Sequence, residues 1–167
     1  HENAGVISAV GDGVDGFQLG QRVVVNPLLS CVVRGFSDLC EMCAKGDPQL
    51  CLRMDQGVIA PGILTGFCRD TGGSWSSEFI AHKSQLIPIP DTMSDRTAVM
   101  AEPFAVAVHP VIRDLPGDDD TVLIIGGGVI GLCAIAAIRA LGSKARIIAI
   151  ARHPFQAEQA ETLGADV

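Results

Sequence analysis

A glycine-rich turn between two apolar segments dictates the architecture of the C-terminal part of this chain. Gly126-Gly127-Gly128-Val129-Ile130-Gly131 has the spacing G-x-G-x-x-G. It follows a strand-like run at residues 122–125 and opens a largely apolar, helix-length run at 129–141. A second strand is expected at 145–150 and a second helix at 155–163, closed by Gly164. Strand, glycine turn, helix, strand, helix is the opening of a parallel α/β sheet. In that context each glycine has a task. Gly126 permits the tight turn, Gly128 lets the backbone approach a pyrophosphate, and Gly131 lets helix and strand pack closely. The first turn of the helix, with Val129 and Ile130, then offers free N–H groups and a positive dipole end to an anion. The competing reading is a tight turn in an α/β core with no ligand.

The uncharged stretch 122–138 also resembles a membrane span in composition. It falls just short of the usual span length, and three consecutive glycines interrupt it. A strand followed by a buried helix is the better reading. The net charge of −7 argues against a nucleic-acid or anionic-membrane partner, since both demand a basic surface. No basic segment leads an apolar one at the N-terminus, so no signal peptide is read and a cytoplasmic location is expected.

Past the second strand, a dinucleotide site for NAD normally carries an acid that holds the ribose hydroxyls. Here the sequence reads Ala149-Ile150-Ala151-Arg152-His153. An aspartate would repel a 2′-phosphate, whereas Arg152 can pair with one. NADP is therefore expected over NAD, against the alternative that Arg152 is a solvated surface residue.

The N-terminal part has a different character. Short strand-like runs at 6–10 and 23–25 are punctuated by glycine, and residues 28–60 show no clean period. That aperiodic stretch holds Cys31, Cys40, Cys43 and Cys51. Cys40-x2-Cys43 is the compact knuckle of structural zinc sites, and four thiolates close a tetrahedron that can order a loop lacking its own core. Disulfides or free thiols are the rival readings. Cys68 lies near enough in sequence to compete with Cys31, and Cys133 stands apart. A further strand is expected at 75–80, a proline-limited edge segment at 86–91, and a helix from Asp95 capped by Ser94. His109, on the apolar run AVAVHPVI, reads as a satisfied core histidine rather than a ligand.

The order of these pieces resembles the zinc-dependent medium-chain alcohol dehydrogenases, in particular the sorbitol and threonine dehydrogenase branch. His1-Glu2-Asn3-Ala4-Gly5 is similar to their GHE-x-x-G opening, and Gly20-Gln21-Arg22-Val23 to their GDRV. The cysteine lobe, Gly72-Gly73, residues 86–91, Glu102-Pro103, the glycine turn and Leu163-Gly164-Ala165-Asp166 follow in the family's order. The resemblance implies an α/β plus β fold: a truncated GroES-like β domain with a zinc lobe over residues 1–93, then connecting helices and the start of a Rossmann doubly wound parallel sheet over 94–167. It implies a catalytic zinc with His1 and Glu102 as ligands and Glu2 beside the metal, and a structural zinc on Cys31, Cys40, Cys43 and Cys51. It also implies a homo-oligomer for the full-length protein.

Taken without the resemblance, His1 and Glu2 read as exposed residues and Glu102 as a helix-starting acid. One departure stands out: Cys31 and Cys40 are separated by VVRGFSDL, where the family's first step is Cys-x2-Cys. The expected function is hydride transfer between a secondary alcohol or polyol and a nicotinamide cofactor. The alternatives are a zinc-free enone or quinone reductase of the same superfamily and a non-enzymatic zinc- and nucleotide-binding module. The chain opens at His1 inside a motif and stops where a strand is starting. It is therefore expected to be a fragment, inactive by itself, because the family's cysteine ligand and proton relay precede the histidine.

Overall fold

The computed structural model describes residues 1–166 and falls into two compact units, His1–Val99 and Met100–Val167. The sequence reading placed the division after residue 93. Helix α2, Asp95–Ala98, lies in the first unit because its last residue, Ala98, is buried with Val24 and Ile89. Ser94 caps that helix, its hydroxyl accepting from the Thr97 N–H at 3.2 Å. Arg22 ties the helix to the sheet through Asp95 at 2.7 Å and the Met93 carbonyl at 2.6 Å.

The sheet of the first unit has three antiparallel strands in the order β1-β2-β3: Gly5–Val6, Arg22–Val25 and Leu86–Pro88. β2 is central, and its three valines are buried, which suits β-branched side chains on a two-sided strand. The Asn3 side chain accepts from the Val25 N–H at 3.1 Å and so anchors the start of the chain to β2.

Two strand expectations are corrected here. Of the run 6–10 only Val6 lies in a strand, β1; Ile7 still exchanges hydrogen bonds with Gln21 and Gly20, and residues 8–10 lie outside the strand. Residues 75–80 form no strand. The Ser76 hydroxyl bonds the Gly73 and Glu78 carbonyls, closing a turn, while Trp75 and Ile80 stand in solvent. Between β2 and β3 the chain is irregular apart from α1, Glu41–Ala44, and 3-10 turns at Pro48–Leu50 and Lys83–Gln85.

The second unit is regular. Helix α3, Ala101–Arg113, precedes β4, Thr121–Ile125; α4, Val129–Ala140, then leads to β5, Arg146–Ile150, and α5, Pro154–Thr162. β4 and β5 are parallel and paired from Thr121–Arg146 to Ile125–Ile150, with α4 as the crossover that parallel strands need. Val111, Ile135, Ala137, Ile138, Ile147 and Ala160 form the core. On α3 the buried face is Pro103, Ala107 and Val111, a spacing of four. His109, two residues beyond Ala107, falls on the opposite face and is exposed, so the core-histidine reading is wrong. The uncharged stretch resolves into β4 and α4, and no helix among the described residues is long and apolar enough to cross a membrane.

Candidate functional site

The irregular lobe gathers its four cysteines. One sulfur from each of Cys31, Cys40, Cys43 and Cys51 lies within 4.8 Å of the others. Cys31 and Cys51 Sγ are 3.6 Å apart, and Cys40 and Cys51 Sγ 3.9 Å. A tetrahedron with zinc–sulfur bonds of about 2.3 Å has edges of about 3.8 Å, so the donor set fits that ion. Cys31 thus stands with the knuckle despite the long step to Cys40. Cys68 does not compete: its thiol donates to the Ala60 carbonyl at 3.2 Å, outside the group. All six cysteines are unbridged.

The thiols are electrostatically unequal. Main-chain N–H groups of Cys43 and Leu52 hold the Cys40 thiol down at about 6, so it favours the thiolate at neutral pH. Burial pushes the Cys31 thiol up and raises Cys43 to about 12. Arg53 lies 4.7 Å above the Phe36 ring and pairs with Asp38 at 2.8 Å, which holds that carboxyl below the usual carboxylate range. Between Cys31 and Cys40, Arg34 is buried and Phe36 half-buried, whereas Val32, Gly35, Ser37, Asp38 and Leu39 are exposed.

Also in the first unit, a cleft of about 610 Å³ is lined by His1, Glu2, Phe67, Trp75, Thr71, Ser74 and Ser76. The His1 ring lies against Phe67, with centroids 5.3 Å apart. The Thr71 hydroxyl accepts from the Gly66 N–H and donates to the Cys68 carbonyl, which shapes this wall. Sequence reasoning picked out His1 and Glu2 but missed the hydroxyls. The signal available was their position on both sides of Gly72-Gly73.

The second unit holds the remaining residues. Glu102 is half-buried in the first turn of α3. At the glycine turn, Gly126 has φ +111°, a conformation L side chains rarely adopt. A Cβ on Gly131 would meet the Gly126 carbonyl oxygen at 2.1 Å, while one on Gly128 would meet nothing within 4 Å. Gly127, to which the motif assigns no task, has one as well: its Cβ would crowd Gln156 and Ala151 at 2.9 and 3.1 Å. Val129 and Ile130 begin α4 and are exposed, and Arg152 is exposed beyond the end of β5.

Residues 1–91 match the family of the alcohol dehydrogenase GroES-like domain. The chain is 34% identical over 166 residues to the sorbitol dehydrogenase of Bacillus subtilis, covering 99% of this chain and 42% of that protein. Among solved structures it is similar to one described as a short chain alcohol dehydrogenase from Escherichia coli CFT073 in complex with NADH, at TM-score 0.74, 34% identity and 99% and 44% coverage. It is also similar to a zinc-binding dehydrogenase from Sinorhizobium meliloti 1021 bound to NADP, at TM-score 0.78, 27% identity and 99% and 44% coverage. The chain spans less than half the length of these relatives.

Proposed function

Because this chain belongs to the zinc-type medium-chain alcohol dehydrogenase family, with its GroES-like domain over residues 1–91, we propose that its parent protein transfers hydride between a secondary alcohol or polyol and a nicotinamide cofactor. The observation that carries this reading is the cleft that sets His1 and Glu2 beside three hydroxyl side chains. Imidazole nitrogen and carboxylate oxygen are donors that suit a catalytic zinc, and His1, Glu2 and Glu102 are the residues that would hold it. A zinc held there would supply Lewis-acid polarisation of an alcohol oxygen, and a bound nicotinamide would supply the hydride acceptor. Phe67, whose ring lies against His1, gives the cleft an apolar wall for the carbon chain. Ser74 offers a hydrogen-bonding partner to a substrate's further hydroxyls, while the hydroxyls of Thr71 and Ser76 are held by main-chain carbonyls and shape the wall.

Gly126, Gly128, Val129, Ile130 and Gly131 form the seat of the pyrophosphate. The space over Gly128 supports this, since a backbone without Cβ there admits the anion. Arg152 recognises a 2′-phosphate, which makes NADP the preferred cofactor. In Arg152→Gln, kcat/KM with NADP should fall at least about tenfold relative to NAD, the size of one charge-assisted contact. An unchanged ratio would remove Arg152 from the cofactor site.

Zinc analysis of the full-length protein tests the wider assignment. Two zincs per chain are expected, with Glu102→Ala keeping one and losing alcohol turnover. One zinc in the wild type, removed by Cys43→Ser alone, would favour the zinc-free reductase of the same superfamily. Two zincs without turnover of any alcohol would favour the non-enzymatic module.

A further inference from the structure

The eight residues that lengthen the step from Cys31 to Cys40 carry Arg34, and this side chain is fully buried. Its guanidinium is neither in the four-thiol group nor in the cleft. Its hydrogen bonds all run to main-chain carbonyls. Nε donates to Leu29 at 3.1 Å, and Nη1 to Gln56, Ile59 and Ala60 at 2.9, 3.2 and 3.2 Å. Nη2 donates to Ala60 at 3.3 Å and to Gly62. The planar fork of arginine matches several carbonyls at once, which an ammonium cannot do. The contact is close on the other side as well: the Val58 N–H donates to the Arg34 carbonyl, and a Cβ on Gly57 would meet that oxygen at 2.4 Å. Arg34 thus gathers residues 56–62 into a strap.

That strap touches the cleft wall. The Ala60 N–H donates to the Asp70 carboxylate at 2.7 Å, and the Ala60 carbonyl accepts from the Cys68 thiol at 3.2 Å. Gly62 packs so tightly on Cys68 that a Cβ would lie 2.8 Å from the Cys68 Cβ. Cys68 in turn accepts from Thr71, whose hydroxyl receives the Gly66 N–H, and Gly66, Phe67 and Thr71 line the cleft. A continuous set of contacts therefore runs from Arg34 through the strap to the wall that faces His1. We propose that Arg34 is a positioning residue that holds the 66–71 wall of the substrate cleft in place through the 56–62 strap. This rests on the dehydrogenase reading only for its effect on substrate.

The test uses the full-length zinc-loaded protein and two readouts. The first is alkylation of Cys68 by N-ethylmaleimide, followed by mass spectrometry, with the buried Cys133 of the second unit as internal control. In Arg34→Lys, Cys68 should be alkylated about tenfold faster or more, the fold-change expected for losing one charged hydrogen bond. Cys133 and the lobe's zinc content should not change. The second readout is kinetic: KM for the alcohol should rise about tenfold, with kcat within about twofold. A uniform loss of stability would instead raise both labelling rates together. If Arg34→Lys does not fold, Asp70→Ala loosens the strap from the wall side without disturbing a buried charge, and it should speed Cys68 labelling in the same way. Loss of lobe zinc with Cys68 still protected would show that Arg34 only supports the thiols, and would overturn the proposal. A wild-type protein that turns over no alcohol would sink the dehydrogenase reading, while the labelling ratio would still decide the role of Arg34.

Discussion

Cys43→Ser in the full-length protein is expected to empty the four-thiol lobe of zinc and to open residues 31–53 to proteolysis. Serine matches cysteine closely in shape, but its hydroxyl stays protonated in this range and cannot replace a thiolate ligand. The lobe has little else to order it. Its core is three of the cysteines, with Phe36, Met42, Cys43 and Met54 packed around them. A structural zinc contributes roughly 10–16 kcal/mol of apparent binding energy to small zinc domains at neutral pH, and loss of one of four ligands forfeits a large share of it. Elemental analysis and limited proteolysis check this together. A variant that kept its zinc and its protection would exclude Cys43 as a ligand. The pH dependence has a definite sign. Metal binding requires thiolates; Cys40 already favours the thiolate near neutrality, while the raised thiols of Cys31 and Cys43 must give up protons to the solvent. Zinc affinity should therefore increase with pH between 6 and 8, and a competitive chelator titration that gave equal affinity at the two ends would exclude the thiols as ligands.

Gly131→Ala should destabilise the second unit and abolish cofactor binding, although helix propensity alone predicts the opposite. Alanine in a helix interior is about 1 kcal/mol better than glycine. Against that gain, the new Cβ would sit 2.1 Å from the Gly126 carbonyl oxygen and 3.3 Å from Ile124 Cγ2. The oxygen is backbone and cannot swing aside, so α4 must lift from β4. Overpacking of this kind costs on the order of 3 kcal/mol, so the packing cost wins by about 2 kcal/mol. Gly128→Ala supplies the contrast. Its φ is −80° and its Cβ would meet nothing, so thermal stability should stay near wild type. Only the close approach of a pyrophosphate would be blocked, which predicts normal unfolding with lost nucleotide binding. Calorimetry and cofactor titration of the pair separate packing from binding. Equal stability of the two variants would contradict the close contact at Gly131.

The second unit was legible residue by residue, because its elements obey local rules. Apolar runs of strand and helix length, a glycine turn between them and Gly164 at the end place β4, α4, β5 and α5 within a few residues. The cysteine spacing likewise pointed to a lobe built around an ion, and a fixed order of motifs pointed to the family. Tertiary structure decided the rest, wherever a contact joins residues distant in sequence. Residues 75–80 have the composition of a strand, but a strand needs a partner, and the Ser76 bonds close a turn there instead. His109 sits in an apolar run, yet the side of α3 that meets the core is chosen by α4 and β5, not by the run itself. Cys31 is separated from the knuckle by eight residues and no spacing rule places it; the folded loop sets it 3.6 Å from Cys51. Arg34 is the extreme case. In sequence it is an unremarked charge in a loop, and only the fold converges five carbonyls on it, because burying a guanidinium is tolerable solely where its N–H groups find acceptors. Periodicity and motif order, which are local, were settled by the chain alone. Partners and faces, which depend on where distant segments meet, were settled by packing.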